Sequence, residues 1–377
     1  MNKSVLYLAI IFTLYSCTTG NKDVEKKHSK LNFSLKEIKK ISIDDSVINT
    51  KNVDFFIHDN GIYIYSVEDF DNFYECFFYS LNDSTKDFTL KLFKEGPDGV
   101  GKLNLPILPE SPDAFFALNT NSEFIQFNGK GEIIKKSKIM MPDSIKRPEV
   151  KEFAKLQRFG EYFIMETIPI NWDGYYERNL TIKYDFDKNK FQTIPSHYPD
   201  FMRQGDSFGV SSWNFSRTIN KKGHFLYSFN YDPNLYVFDQ SKMINVVSTK
   251  IPDLREGDKS PISEEATFNE QLEYFMKRSQ FLELYTDEKS GNTIRVVHDG
   301  MTNEKLEVDR NWWEKDLYIQ VFDSDYNYVG YERFDAKQFS SESLFYHDGL
   351  LYMPFHNKSN DDTVEDKFIV HVYEINH

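Results

Sequence analysis

Cysteine is nearly missing from this chain: 377 residues carry two, Cys17 and Cys76. Two sulfurs cannot build a disulfide framework, and Cys17 closes a leader, so no structural disulfide is expected. Cys76 lies in Tyr74-Glu75-Cys76-Phe77-Phe78-Tyr79, where a buried thiol behaves as a small hydrophobe. Long apolar runs are missing too. The longest, residues 5–12, falls well short of the roughly 20 residues that cross a bilayer. Clustered positive charge is also lacking. A net charge of −14 without a basic stripe excludes a nucleic-acid partner, because phosphate neutralisation needs grouped Lys and Arg. The nine histidines are dispersed and no pair has metal-ligand spacing, so neither metal nor cofactor is expected.

What the chain has instead is aromatic side chains, 34 Phe and 23 Tyr. Such residues favour strands, where flat rings pack across a pleated surface. The segment 218–249 shows the pattern most plainly. Phe225, Tyr227 and Phe229 share one face of an extended run, and Leu235-Tyr236-Val237-Phe238 follows after a break. The turn Asp239-Gln240-Ser241-Lys242 leads into a further run. Diverged copies of this antiparallel meander recur roughly every 50 to 70 residues, with first turns near Gly61, Asp113, Gly160, Gly223, Gly291 and Gly349. No change of composition marks a boundary between copies. The pattern predicts an all-β fold, a six-bladed β-propeller, rather than a pair of β-sandwiches.

The first 16 residues read as a signal peptide, with Lys3 before a short apolar core. It ends in Leu14-Tyr15-Ser16-Cys17, which is similar to the lipobox of bacterial lipoproteins and implies lipidation of Cys17. Residues 17–30, rich in Lys, Asp and Asn, read as a flexible tether, and residues 31–377 as a single propeller domain. One segment departs from the β pattern. In residues 263–284 the apolar positions Phe268, Leu272, Phe275 and Leu282 recur at helical spacing, with Ser263 as the expected N-cap. This predicts one amphipathic helix inserted between blades four and five. The run 35–43, with Ile38, Ile41 and Ile43, has no local hairpin partner. The last unit is one strand short of four, so that run is expected to join it and close the ring.

Several stretches resemble the domain-of-unknown-function 4221 lipoproteins. They include Glu95-Gly96-Pro97-Asp98-Gly99-Val100-Gly101, Ser196-His197-Tyr198-Pro199 and Leu284-Tyr285-Thr286-Asp287. The closing pattern from Tyr318-Ile319-Gln320-Val321-Phe322-Asp323 to Gly349-Leu350-Leu351-Tyr352 is similar as well. The resemblance implies a propeller-like β fold and a lipid anchor, and it brings no activity or catalytic residue with it. On this reading the protein is an outer-membrane lipoprotein of a Gram-negative bacterium, facing the periplasm or the exterior.

Chemistry is harder to find. Asp323-Ser324-Asp325-Tyr326-Asn327 starts like a calcium loop, but the sixth position is Tyr328 and the twelfth Phe334. Gly205-Asp206-Ser207-Phe208-Gly209 is not a nucleophile elbow. The tryptophans stand beside polar residues in loop-like stretches. Trp172, Tyr175, Trp213 and Trp313 could therefore stack on a sugar, with Arg203 and Arg217 lining the central channel. The same rings could instead plug loops onto the blades. No catalytic constellation emerges. The expected function is a ligand-binding or protein-interaction module of the cell envelope, with the membrane as a partner through the anchor and a glycan or envelope protein as the other. A carbohydrate-active lyase or hydrolase is the alternative.

Overall fold

The computed structural model describes residues 29–43, 53–142, 145–151, 153–169, 176–203, 213–255, 261–263, 265–308, 315–335, 338–339, 343–355 and 367–376. Two strands precede the first repeat, β1 (Ser29–Lys30) and β2 (Asn32–Ser42). Blade I is β3 (Val53–His58), β4 (Gly61–Asp69), β5 (Phe73–Ser80) and β6 (Thr85–Phe93). Blade II is β7 (Leu103–Ser111), β8 (Ala114–Asn119), β9 (Glu123–Phe127) and β10 (Ile133–Lys138). Blade III has β11 (Ile145–Glu149) and β12 (Gln157–Phe159) side by side on β13 (Tyr162–Pro169), then β14 (Thr181–Asp185) and β15 (Lys190–Ile194). The short α1 (Asp200–Arg203) leads to blade IV, β16 (Phe215–Ile219), β17 (Phe225–Phe229), β18 (Leu235–Phe238) and β19 (Met243–Val247). After α2 (Phe268–Lys277), blade V has β20 (Gln280–Thr286), β21 (Thr293–His298), α3 (Asn303–Val308), β22 (Leu317–Phe322) and β23 (Tyr328–Phe334). Blade VI is β24 (Phe345–His347), β25 (Leu350–Pro354) and β26 (Lys367–Asn376).

The missing strand of blade VI is β2, which pairs antiparallel with β26 so that Leu35 faces Tyr373 and Ile41 faces Phe368. The expected ring closure is present. Ser29 and Lys30, the end of the stretch read as tether, are already strand: β1 lies parallel to β23, with Ser29 opposite Gly330.

Both faces of each blade are buried, and period-two alternation divides the side chains between neighbours. On β8, Phe115 and Ala117 pack into the core shared by blades I and II. Phe116 and Leu118, on the other face of that strand, pack toward blade III. On β17, Phe225, Tyr227 and Phe229 face blade III, whereas Leu226 faces blade V. Further cores join blade V to blade VI and blade VI back to blade I. Every interface between neighbouring blades thus has its own apolar core, which is why the chain needs so many aromatic rings.

Two sequence expectations change. The helix is shorter than 263–284. Thr267, not Ser263, is the N-cap, in a capping box with Glu270, and helical geometry ends at Arg278 with φ −98° and ψ 148°. Residues beyond it form β20, the inner strand of blade V, whose Phe281 and Leu284 are buried. Leu282 happens to continue the helical spacing although it belongs to that strand. Blade II also gains an inner strand, β7, that its prolines disguise. The register with β8 breaks between Asn104 and Leu108, around Pro106, which an innermost edge strand tolerates. At the first hairpin His58 pairs with Gly61 and the two central residues, Asp59 and Asn60, take φ of 48° and 64°, so the turn runs from His58 to Gly61.

Candidate functional site

Three charged side chains on or beside the inner strands meet near the axis. Asp54 interrupts the apolar run of β3, Glu283 interrupts β20, and Lys155 sits between Ala154 and Leu156 just before β12. The Lys155 ammonium lies 3.2 Å from Asp54 Oδ1 and 3.7 Å from Glu283 Oε2. One cation therefore joins blades I, III and V. Glu283 keeps 3% of its side chain exposed, against 20% for Lys155 and 16% for Asp54, so solvent reaches the pair at blades I and III. Burial pulls the Lys155 pKa down, but Asp54 and Glu283 outweigh it and hold the ammonium above the ordinary lysine value. The amine is thus held in its charged form at neutral pH.

Two tyrosines complete the cluster. The Tyr65 hydroxyl donates to the Ile107 carbonyl at 2.7 Å and reaches Asp54 Oδ2 at 3.5 Å. Burial, then the Asp54 charge, raises its pKa well above the usual phenol value. The Tyr285 ring centre is 5.6 Å from Lys155 Nζ, and its hydroxyl is buried without a hydrogen-bond partner among the described residues.

Arg217, expected at the channel, is buried between blades III and IV. It donates to the Lys155 carbonyl at 2.8 Å, the Ile164 carbonyl at 3.3 Å and Thr181 Oγ1 at 3.2 Å. Arg295 does the same between blades IV and V, donating to the carbonyls of Pro233 at 2.6 Å and Asn234 at 3.0 Å and to Thr249 Oγ1 at 2.7 Å. Arg203 is on α1 at the surface, paired with Asp200 and with Glu177 at 3.4 Å. The Trp213 side chain is 39% exposed, and its carbonyl accepts from the Tyr198 hydroxyl at 2.6 Å. Trp172, Tyr175, Trp313 and Cys17 lie outside the described residues. Arg203, Trp213 and Arg217 thus occupy three different settings and do not form one cluster.

The axial charges were missed because each looks like an ordinary polar interruption. The signal available was that Asp54, Lys155 and Glu283 are single charges within short apolar runs. Among the described residues, no group of three or more His, Cys, Asp or Glu is placed to hold a metal, and no helix is long and apolar enough to cross a membrane.

These features define a six-bladed β-propeller closed by its N-terminal strand, with a charged cluster on its axis. A family profile described as Domain of unknown function (DUF4221) matches residues 30–333, and the chain belongs to that family. A crystal structure of a DUF4221 member from Bacteroides vulgatus ATCC 8482 superposes with a TM-score of 0.75 at 14% identity, covering 93% of this chain and 99% of that one. A Bacteroides fragilis NCTC 9343 protein predicted to be exported gives 0.54 at 10% identity, covering 92% and 96%. A streptogramin B lyase gives 0.41 at 10% identity over 90% and 98% of the two chains. No curated protein matches the sequence.

Proposed function

We propose that this protein is a lipid-anchored propeller of the cell envelope that binds a polyhydroxylated ligand, such as a glycan, at its axis. The observation that carries the reading is the Lys155 ammonium held between Asp54 and Glu283. Carboxylates and an ammonium side by side exchange hydrogen bonds with hydroxyl groups of either polarity. The buried Tyr285 hydroxyl offers a further donor with no protein partner among the described residues. A permanently charged lysine favours recognition over covalent chemistry. The leader ending in Cys17 supports the anchor.

A glycan array probed with the detergent-solubilised protein tests the axial reading. Wild type should retain a defined set of glycans, Lys155→Met should lose them, and Tyr285→Phe should weaken them with an unchanged melting curve. Retention unaltered in both variants would overturn it, and release of shortened glycans would favour a hydrolase or lyase instead. The anchor is tested separately: Cys17→Ser should move the protein from the detergent phase to the aqueous phase.

A further inference from the structure

A concave surface lies away from the axial cluster. The turn Thr120–Ser122 between β8 and β9, the end of β10, the stretch 139–142 and the start of β11 line an open groove of about 940 Å³ between blades II and III. None of its lining residues belongs to the axial cluster. We infer that this groove binds an organic anion, a phosphate or carboxylate carried on an apolar body.

Charge is the first reason. In a chain of net charge −14, the groove is lined by Lys138, Lys146 and Arg147 and by one described acidic side chain, Glu123. That carboxylate is already engaged, 2.6 Å from Asn119 Nδ2 and 3.0 Å from Lys136 Nζ. Lys138 and Lys146 are exposed and form no ion pair among the described residues. Arg147 pairs with Glu149 at 2.8 Å through Nη2, yet its Nε is buried without an acceptor among the described residues. Three cations around a groove whose described carboxylate is already engaged suit an anion, and a guanidinium adds a planar donor set for phosphate or carboxylate.

The apolar wall is the second reason. Met140 is 72% exposed beside Met141 and Pro142, all lining the groove. Methionines adapt to irregular apolar ligands, and an exposed one beside exposed lysines marks a surface suited to a ligand with both characters.

Calorimetric titration of the full chain carrying Cys17→Ser tests the inference with three probes. Octyl phosphate should bind, inorganic phosphate should bind at least about tenfold more weakly, and octyl glucoside should not bind. The double variant Lys138→Gln, Lys146→Gln should weaken octyl phosphate by at least about tenfold, and added salt should weaken it further. Met140→Ser should weaken octyl phosphate and leave inorganic phosphate unchanged. All three side chains are exposed, so unchanged melting curves would certify the fold. Failure of octyl phosphate to bind, equal binding of octyl glucoside or of inorganic phosphate, or unchanged affinity in the double lysine variant would overturn the inference. The glycan result at the axis does not bear on this outcome.

Discussion

The Asn376 side-chain amide donates to the Asn32 carbonyl at 3.2 Å, across 344 positions of sequence. It also reaches Ser34 Oγ at 2.9 Å, so the last residues of the described chain are pinned to the first long strand. The contact completes the β2–β26 ladder that makes six blades a ring. Loop closure over such a length is tolerable because its entropy grows only logarithmically.

Removing that ladder should open the ring. A chain lacking residues 1–43 exposes the β26 edge and strips Phe33 and Ile41 from the two cores that flank blade VI. It should unfold with a lowered and broadened transition, or aggregate. A chain lacking only residues 1–28 should melt like the full protein. Calorimetry on both checks this, and equal midpoints would mean that the ring closes without β2.

The two kinds of arginine should behave oppositely. Arg295→Met takes the guanidinium donor from the Asn234 carbonyl and from Gln320 Oε1 inside an interface, and leaves the Pro233 carbonyl only the Thr249 hydroxyl. We expect a loss of about 3–4 kcal/mol in urea unfolding. Arg203→Met removes an ion pair at the surface and should change stability by less than about 0.5 kcal/mol. Similar losses for both would remove the role given to Arg295 in joining blades IV and V.

His298 should give the protein acid sensitivity. Its imidazole is 1% exposed on β21, and burial, aided by the Lys315 charge, pushes its pKa down to about 3. The unfolded chain therefore takes up a proton near pH 6.5 that the folded chain refuses until about 3. The stability this group contributes is complete above about pH 6.5 and declines as pH falls through that window, by about 2 kcal/mol at pH 5. His298→Asn should flatten this part of the pH profile. Urea midpoints at pH 7 and pH 5 for both proteins provide the measurement, and parallel profiles would contradict it.

Trp213 separates a rim from a plug. A side chain left 39% exposed should cost about 1 kcal/mol or less when replaced by Ala. A fully buried plug would cost about 3–5 kcal/mol. The melting curve of Trp213→Ala decides between these values, and a drop of the larger size would place the ring in the core.

What the sequence determined by itself is local and periodic. The alternation of Phe225, Tyr227 and Phe229 names a strand and its faces, because side chains on an extended chain can only alternate. The left-handed pair Asp348 and Gly349, with φ of 51° and 74°, marks a hairpin through residue types that tolerate that backbone. Even the closing strand was legible, since an unpaired run at one end and a blade short of a strand at the other have few other solutions. Where two periodicities overlap, as from Leu272 through Leu282, the boundary between helix and strand was not readable. Only the tertiary structure decided which charges meet. Asp54 and Lys155 are 101 positions apart, and no local pattern links either to Glu283. Their meeting depends on how six blades turn about a common axis, a geometry set by the sum of all the interface cores. The groove at Lys138 and Lys146 arises in the same way, from the angle between blades II and III. Periodicity assigns a side chain to one face of its blade, and packing around the ring decides what that face meets.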